Sequence, residues 1–422
     1  MASNFIDMEN HKHPWWPLFI TNFLSVFNDN LIKWLVIFVG INWVSADNQS
    51  TVISIASAML VIPFILFSPM AGKLSKIYEK RSIMIWGKMA EMPIMLIAIG
   101  GFYWHNLYIV MVAVLLMGLQ SALFSPAKYG LIRDIRGVDG ISFGTGYMEM
   151  LTFVGVLLGT VLAGFLSDHY GIEWVGAILL FIAFIGWLTS RMIRADESPV
   201  MESQPTALNF VSFIIKQYKV AKNFEGVNYA VFGLSMFWLI GSLIQMNISM
   251  HGKNVLGESD TVTGLIMSVA AIGIAAGAIL SGWLSGKHVH LGYVFIGSIG
   301  LGLSMLATII INPSTYYFMV MIFFTAFFAG FYKIPLNAHI QDKVKGRLLG
   351  DILGYLNIMV FIFILFSAGL FELFNQLSGK NTMIIFGFIA ICSIFVGVYF
   401  FFRVDGVKED FKEIMKGNLG RD

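Results

Sequence analysis

Apolar stretches long enough to cross a hydrocarbon layer recur about twelve times between Pro14 and Arg403, each closed by charge or turn residues. They lie near 15–43, 52–75, 82–102, 106–128, 143–167, 172–193, 228–250, 262–285, 290–311, 315–338, 348–376 and 382–403. Lipid offers no water to an unpaired N–H or C=O, so segments of this kind span as helices. Charged residues make up only 12% of the chain, against about a quarter in soluble domains. The sequence therefore describes an all-α polytopic membrane protein. Pro14-Trp15-Trp16-Pro17 opens the first span with tryptophans suited to the interface and a proline in the first turn. Before it, Asp7, Glu9 and His11-Lys12-His13 do not form the basic start and apolar core of a signal peptide, and no cleaved leader is expected. The single cysteine, Cys392, sits in an apolar run and fits a small packing residue.

Basic residues alternate between the loops. One set of loops carries Lys73, Lys76, Lys80 and Arg81, then Arg133 and Arg136, then Arg191, Arg194, Lys216, Lys219 and Lys222, then Lys287, then Lys343, Lys345 and Arg347. The other set carries only Lys253 and Lys380. The positive-inside rule places the first set, and with an even number of spans both termini, in the cytoplasm. The connection from Arg194 to Gly226 is the longest and most polar, and it holds Pro199 and Pro205. The expected organisation is a six-helix half over 1–193, an inter-half loop over 194–226, a second six-helix half over 227–403 and a tail over 404–422. Within the loop, Phe210 to Lys222 alternates apolar residues with lysines, as either an amphipathic helix on the inner leaflet or a plain linker would.

Short patterns return at one offset of 210 residues. Leu24-Ser25-Val26-Phe27 returns as Leu234-Ser235-Met236-Phe237, Gly72-Lys73-Leu74-Ser75 as Gly282-Trp283-Leu284-Ser285, and Gly159 as Gly369. Duplicated halves of this kind place a substrate site at their interface near the midplane.

The first span contains a charged knot, Asn28, Asp29, Asn30 and Lys33, near its middle. Ionisable groups at that depth face protein or a watery cavity. Asp29 and Lys33 have the spacing and order of a helical ion pair, so they either lock this helix to a neighbour or line a path. Span four ends in Ser125-Pro126-Ala127-Lys128-Tyr129-Gly130, where Pro126 loosens the helix and Lys128 either snorkels to the interface or holds a phosphate. Tyr332-Lys333-Ile334-Pro335-Leu336-Asn337 is its counterpart in the second half, and the two lysines together would give a cationic inner mouth. Glu149 is the other deep acid of the first half, beside glycines Gly155, Gly159 and Gly164 that let helices approach closely. Lys88 and Glu91 read as a local pair at the membrane edge. His105, His169 and His251 fall at loop edges and read as interfacial.

Gly72 to Arg81 resembles a degenerate signature loop of the major facilitator superfamily, with Lys76 where an acid is expected. Phe-Leu-Ser-Val-Phe-Asn-Asp-Asn around Asp29, Ser-Pro-Ala-Lys-Tyr-Gly at 125–130, Tyr-Met-Glu at 147–149, Ser-Met-Phe-Trp at 235–238 and Ile-Pro-Leu-Asn-Ala at 334–338 together resemble the bacterial lysophospholipid transporter (LplT) family. That resemblance implies a major facilitator fold in the inner membrane that moves lysophosphatidylethanolamine or lysophosphatidylglycerol to the cytoplasmic leaflet, where a separate acyltransferase restores the second chain. It carries the family's polar positions to Asp29, Lys128 and Glu149. Gln245 stands where the family's seventh span has an arginine, and Lys333 stands at a position usually apolar in the relatives. The cation is therefore expected to have moved to Lys333, with Asn30, Lys33, Gln245 and Asn337 beside the substrate.

An exporter or proton-coupled carrier of other amphiphiles would use Asp29 and Glu149 equally well. A lipid enzyme is disfavoured: no histidine is followed five residues later by aspartate, and there is no His-Glu-x-x-His helix or phosphate-binding glycine loop. No cofactor, metal or nucleic-acid partner is expected.

Overall fold

The computed structural model describes residues 13–136, 141–197, 210–285, 289–344 and 347–416. Within its helices, the side chains of Lys76, Arg136, Glu149, Phe210 and Arg347, among a few others, lie outside the described set. The acidic stretch before His13, Pro199, Pro205, Lys287 and Lys345 also fall outside it.

The chain forms helices α1 (Trp16–Gly40), α2 (Gln49–Ile77), α3 (Lys80–Tyr103), α4 (Leu107–Arg136), α5 (Ile141–His169), α6 (Ile172–Arg191), α7 (Phe210–Ala221) and α8 (Val227–Asn254). They continue as α9 (Asp260–Ser285), α10 (Gly292–Ile311), α11 (Thr315–Lys343), α12 (Arg347–Leu377), α13 (Thr382–Arg403) and α14 (Val407–Met415). Among the described residues, twelve helices are long and apolar enough to cross a membrane, and α7 and α14 are short additions. Neither Pro126 nor Pro335 ends its helix, and α4 and α11 run past the ends expected from sequence. A single missing N–H is tolerated where neighbouring helices enclose the backbone.

The helices fall into two compact units, Met1–Ala46 with Ile55–Asn209, and Asp47–Ser54 with Phe210–Asp422. In the first, α1 packs on α4, α5 and α6, while α3 packs on α4 and α6. In the second, α8 packs on α11, α12 and α13, while α10 packs on α11 and α13. The same packing plan, α1 and α3 to α6 against α8 and α10 to α13, is thus used twice. The sequence repeat reaches single side chains: buried Ser25 donates to Thr21 O at 2.8 Å, and buried Ser235 donates to Val231 O at 2.8 Å. Gly159 and Gly369 do not share a role. A Cβ on Gly159 would lie 2.5 Å from Phe27 O and 3.2 Å from Asn30 Cβ, whereas one on Gly369 meets nothing within 4 Å. Gly155 likewise faces Phe23 O at 3.1 Å, so α5 rests directly on the α1 backbone around the charged knot.

One end of the first unit is closed by an apolar cluster that includes Leu18, Met84, Phe124, Leu131, Met148 and Ile193. Beside it Lys80 Nζ bonds Asp134 at 2.5 Å, and the Glu197 carboxylate accepts the Lys80 and Arg81 N–H groups at 2.6 and 2.8 Å. Glu197 therefore caps the start of α3, satisfying donors the helix leaves open. This ties the loop before α3 to both α4 and the segment after α6.

Candidate functional site

In the first unit the polar residues of α1 divide by helical face. Asp29 faces α4, where the Ser121 hydroxyl lies 3.0 and 2.8 Å from its two oxygens. Two turns away on the same seam, Lys128 Nζ donates to Asn22 Oδ1 at 3.0 Å. Stepping forward from Asn22 to Asp29 on α1 steps back by the same seven residues on α4, from Lys128 to Ser121. The helices are antiparallel in one register, with the two contacts about 10 Å apart along the axis at 1.5 Å per residue. Lys128 is therefore held inward on a fully buried asparagine, with its ammonium 5.8 Å from the Phe124 ring and 5.3 Å from the Tyr129 ring. Asn22 also donates to Thr152 Oγ1 at 3.2 Å and Met148 O at 3.4 Å, joining the seam to α5 next to Glu149. The Glu149 side chain itself lies outside the described residues.

Asn30 returns its side-chain N–H to Val26 O at 2.8 Å. Among the described residues no ion pair joins Asp29 to Lys33. The ammonium of Lys33 instead lies 4.7 Å from the centre of the Trp34 ring. The expected helical pair does not form because Ser121 takes the carboxylate and an aromatic face takes the cation.

The expectation of a Lys88–Glu91 pair at the membrane edge is also corrected. The two side chains do pair, but both are 0% exposed. Asn28 donates to Glu91 Oε1 at 2.5 Å, so the third face of the α1 knot closes on this buried pair. Gly186 of α6 makes room for it, since a Cβ there would lie 2.5 Å from Lys88 Cε.

In the second unit Lys333 reaches from α11 onto α8, its ammonium 5.5 Å from the Phe237 ring and 5.2 Å from the Trp238 ring. Asn337, one turn further along α11, is half-buried, and Gln245 on α8 is exposed. Tyr332, beside the lysine, is buried and donates to Gly233 O at 2.5 Å, fixing the α8–α11 seam. Three of the eight predicted residues, Lys333, Asn337 and Gln245, thus lie in this unit, and the other five lie in the first.

His251 is not interfacial. α8 runs on to Asn254, and His251 is fully buried, with Nδ1 2.8 Å from Thr382 Oγ1 and its ring between Phe318 and Phe386. Sequence reading also missed Asn22 and Ser121, and it named Asn28 in the knot without its Glu91 partner. The available signal was the matched seven-residue spacing, Asn22 to Asp29 in one span and Ser121 to Lys128 in another.

Solved transporters share this architecture. A POT family transporter in complex with 5-aminolevulinic acid superposes with a TM-score of 0.72 at 12% identity, covering 91% of this chain and 94% of that one. A D-xylose-proton symporter gives 0.67 at 12% identity, covering 93% and 98%. At the level of sequence, the chain is 25% identical over 369 residues to the lysophospholipid transporter LplT of Photorhabdus laumondii, covering 84% of this chain and 86% of the relative. It is 25% identical over 375 residues to LplT of Cronobacter sakazakii, covering 85% and 88%. The Major Facilitator Superfamily model matches residues 18–368 and 230–420. With a duplicated helix-packing plan and a family match across nearly its whole length, this chain belongs to the Major Facilitator Superfamily.

Proposed function

We propose that this chain is a lysophospholipid transporter of the bacterial inner membrane, working by alternating access. It would move lysophosphatidylethanolamine or lysophosphatidylglycerol to the cytoplasmic leaflet, where a separate acyltransferase restores the second chain. The observation that carries this reading is the α1–α4 seam, which holds one carboxylate and one ammonium about two turns apart inside the first unit. A zwitterionic head needs both signs of charge, and a single acyl tail needs an adaptable apolar wall. The 38 phenylalanines and 24 methionines of the chain can supply that wall. The LplT names of the sequence relatives point the same way.

Asp29 is assigned to the ethanolamine ammonium and Lys128 to the phosphate, as a point charge. Asn30, Lys33 and Glu149 are assigned to the rest of the headgroup path in the first unit. In the second unit the aromatic faces of Phe237 and Trp238 hold Lys333 at α8, which favours it as the substitute for a span-seven cation. Asn337 and Gln245 are assigned supporting polar contacts. The proposed orientation has both termini cytoplasmic, with halves at 1–193 and 227–403, a connecting loop at 194–226 and a tail at 404–422. One further reading is favoured by a specific contact: Asp29 is bonded to a neutral hydroxyl, as a residue that picks up and releases a proton would be. That reading is a proton-coupled carrier or exporter of other amphiphiles.

The test is uptake of lysophosphatidylethanolamine by spheroplasts of a strain lacking its own transporter, comparing the unmodified chain with Asp29→Ala at matched expression. Uptake that is lost in the variant supports lipid transport through the first-unit seam. If the folded, membrane-inserted chain moves no lysolipid, the amphiphile-carrier reading replaces it. Undiminished uptake in the variant removes Asp29 from the path.

A further inference from the structure

Helix α7 is joined to α8 through Gly226, and it presents two different faces. The inner face buries Gln217 and Ala221 and half-buries Phe213, Ile214 and Val220. It rests on α12 and α8: a Cβ on Gly354 would lie 3.6 Å from the Phe213 ring, and Asn228 donates to Tyr218 O at 3.1 Å. On the outer face Val211, Ile215 and Tyr218 follow one another at helical spacing and are 47%, 51% and 43% exposed. Exposed Lys216 and Lys219 stand on one flank of this stripe, and Lys222 closes its end with its ammonium 5.2 Å from the Tyr218 ring. Between Phe210 and Lys222 the sequence has no acidic residue.

A helix docked by one apolar face has no packing need for a second. An exposed apolar stripe bordered by lysines is the pattern of a helix lying in a headgroup layer, with aliphatic stems in the acyl boundary and ammonium groups among phosphates. Position agrees with chemistry, because α7 sits directly before the first turn of the α8 span and against the α12 span. We propose that α7 is a membrane-surface anchor whose stripe of Val211, Ile215 and Tyr218 enters the leaflet and whose three lysines select anionic phospholipid headgroups. Anionic lipid at this site braces the end of the second unit where α8 begins. The inference is independent of what the protein transports.

The experiment places a nitroxide at Ile215→Cys in full-length protein carrying Cys392→Ser, reconstituted into phosphatidylcholine nanodiscs with and without phosphatidylglycerol. Accessibility to oxygen and to a water-soluble nickel chelate is compared with a label at exposed Glu409→Cys. With phosphatidylglycerol, nickel access at 215 should fall several-fold below that at 409 while oxygen access rises. Lys216→Gln/Lys219→Gln/Lys222→Gln should return it to the value in pure phosphatidylcholine. Val211→Cys repeats the measurement should the first label disturb folding. Nickel access equal to that at 409 in both lipids overturns the proposal, as does shielding that ignores both the anionic lipid and the lysines. Exclusion of both reagents would show protein covering the stripe, and would overturn it too.

Discussion

Lys88 and Glu91 form a fully buried ion pair in the first unit, and their removal has calculable consequences. Both are 0% exposed, and Glu91 also accepts from Asn28 at 2.5 Å. Lys88→Met keeps the length of the side chain in the channel left by Gly186, yet strands a carboxylate in the interior. Removing one partner of a buried pair costs about 3–5 kcal/mol. Glu91→Leu strands the ammonium and also orphans Asn28 Nδ2, which adds about 1–3 kcal/mol. The double variant Lys88→Met/Glu91→Leu removes both charges. Apolar replacement of a whole pair is neutral or stabilising by about 1–4 kcal/mol, which the orphaned Asn28 largely offsets. The double variant should therefore unfold within about 2 kcal/mol of the parent, and the cycle should show a coupling of at least about 4 kcal/mol. Unfolding in mixed detergent micelles, read in a Cys392→Ser background by a fluorogenic maleimide at Ala98→Cys, a fully buried position on α3 of the same unit, reports these differences. A single variant as stable as the parent, or a double as unstable as the worse single, would refute a dry, mutually dependent pair.

The remaining expectations concern transport and packing. Lys333→Ala should lower lysolipid uptake roughly tenfold or more, the worth of about 1.5–3 kcal/mol in bonds to a charged group, while Gln245→Ala stays mild; the reverse ranking in the spheroplast assay would refute Lys333 as the headgroup cation. Gly159→Ala places a methyl 2.5 Å from Phe27 O and should cost about 1–3 kcal/mol by prising α5 from α1, measured as a lower unfolding midpoint. Thr382→Val strips buried His251 of its 2.8 Å partner and should cost about 1–3 kcal/mol, with uptake per folded molecule unchanged; lost uptake at normal stability would give His251 a part in transport.

The twelve spans were legible because lipid forces every backbone group into a helix, leaving span length and composition as the message. Helix ends were less so. Pro126 and Pro335 loosen helices expected to end near 128 and 338, yet α4 and α11 continue to Arg136 and Lys343, and only neighbouring helices decide that continuation. The α1 knot was legible as a place but not as a set of bonds. Spacing alone pairs Asp29 with Lys33 and puts Lys88 with Glu91 at an edge. Which face of α1 meets α3, α4 or α5 depends on tertiary packing, and that sends Asn28 to Glu91 and Asp29 to Ser121.

The repeat carries one step further than the shared fold. The offset of 210 takes Phe27 to Phe237 and Leu123 to Lys333, so the Lys333–Phe237 contact of α8 and α11 repeats a position on the α1–α4 seam. The same offset takes Asp29 to Leu239 and Lys33 to Leu243, and it takes Lys128 to Ala338. Duplicated helices have thus kept their register and exchanged their charges. The first unit has an acid and a lysine on its seam, while the second has a lysine at a level lying between them. An ion pair inherited by both units would have served packing alike in each, and would show the same residues at both positions. Charges that differ between helices of matched register are not what packing alone selects, and they are what the proposed headgroup contacts of Asp29, Lys128 and Lys333 require.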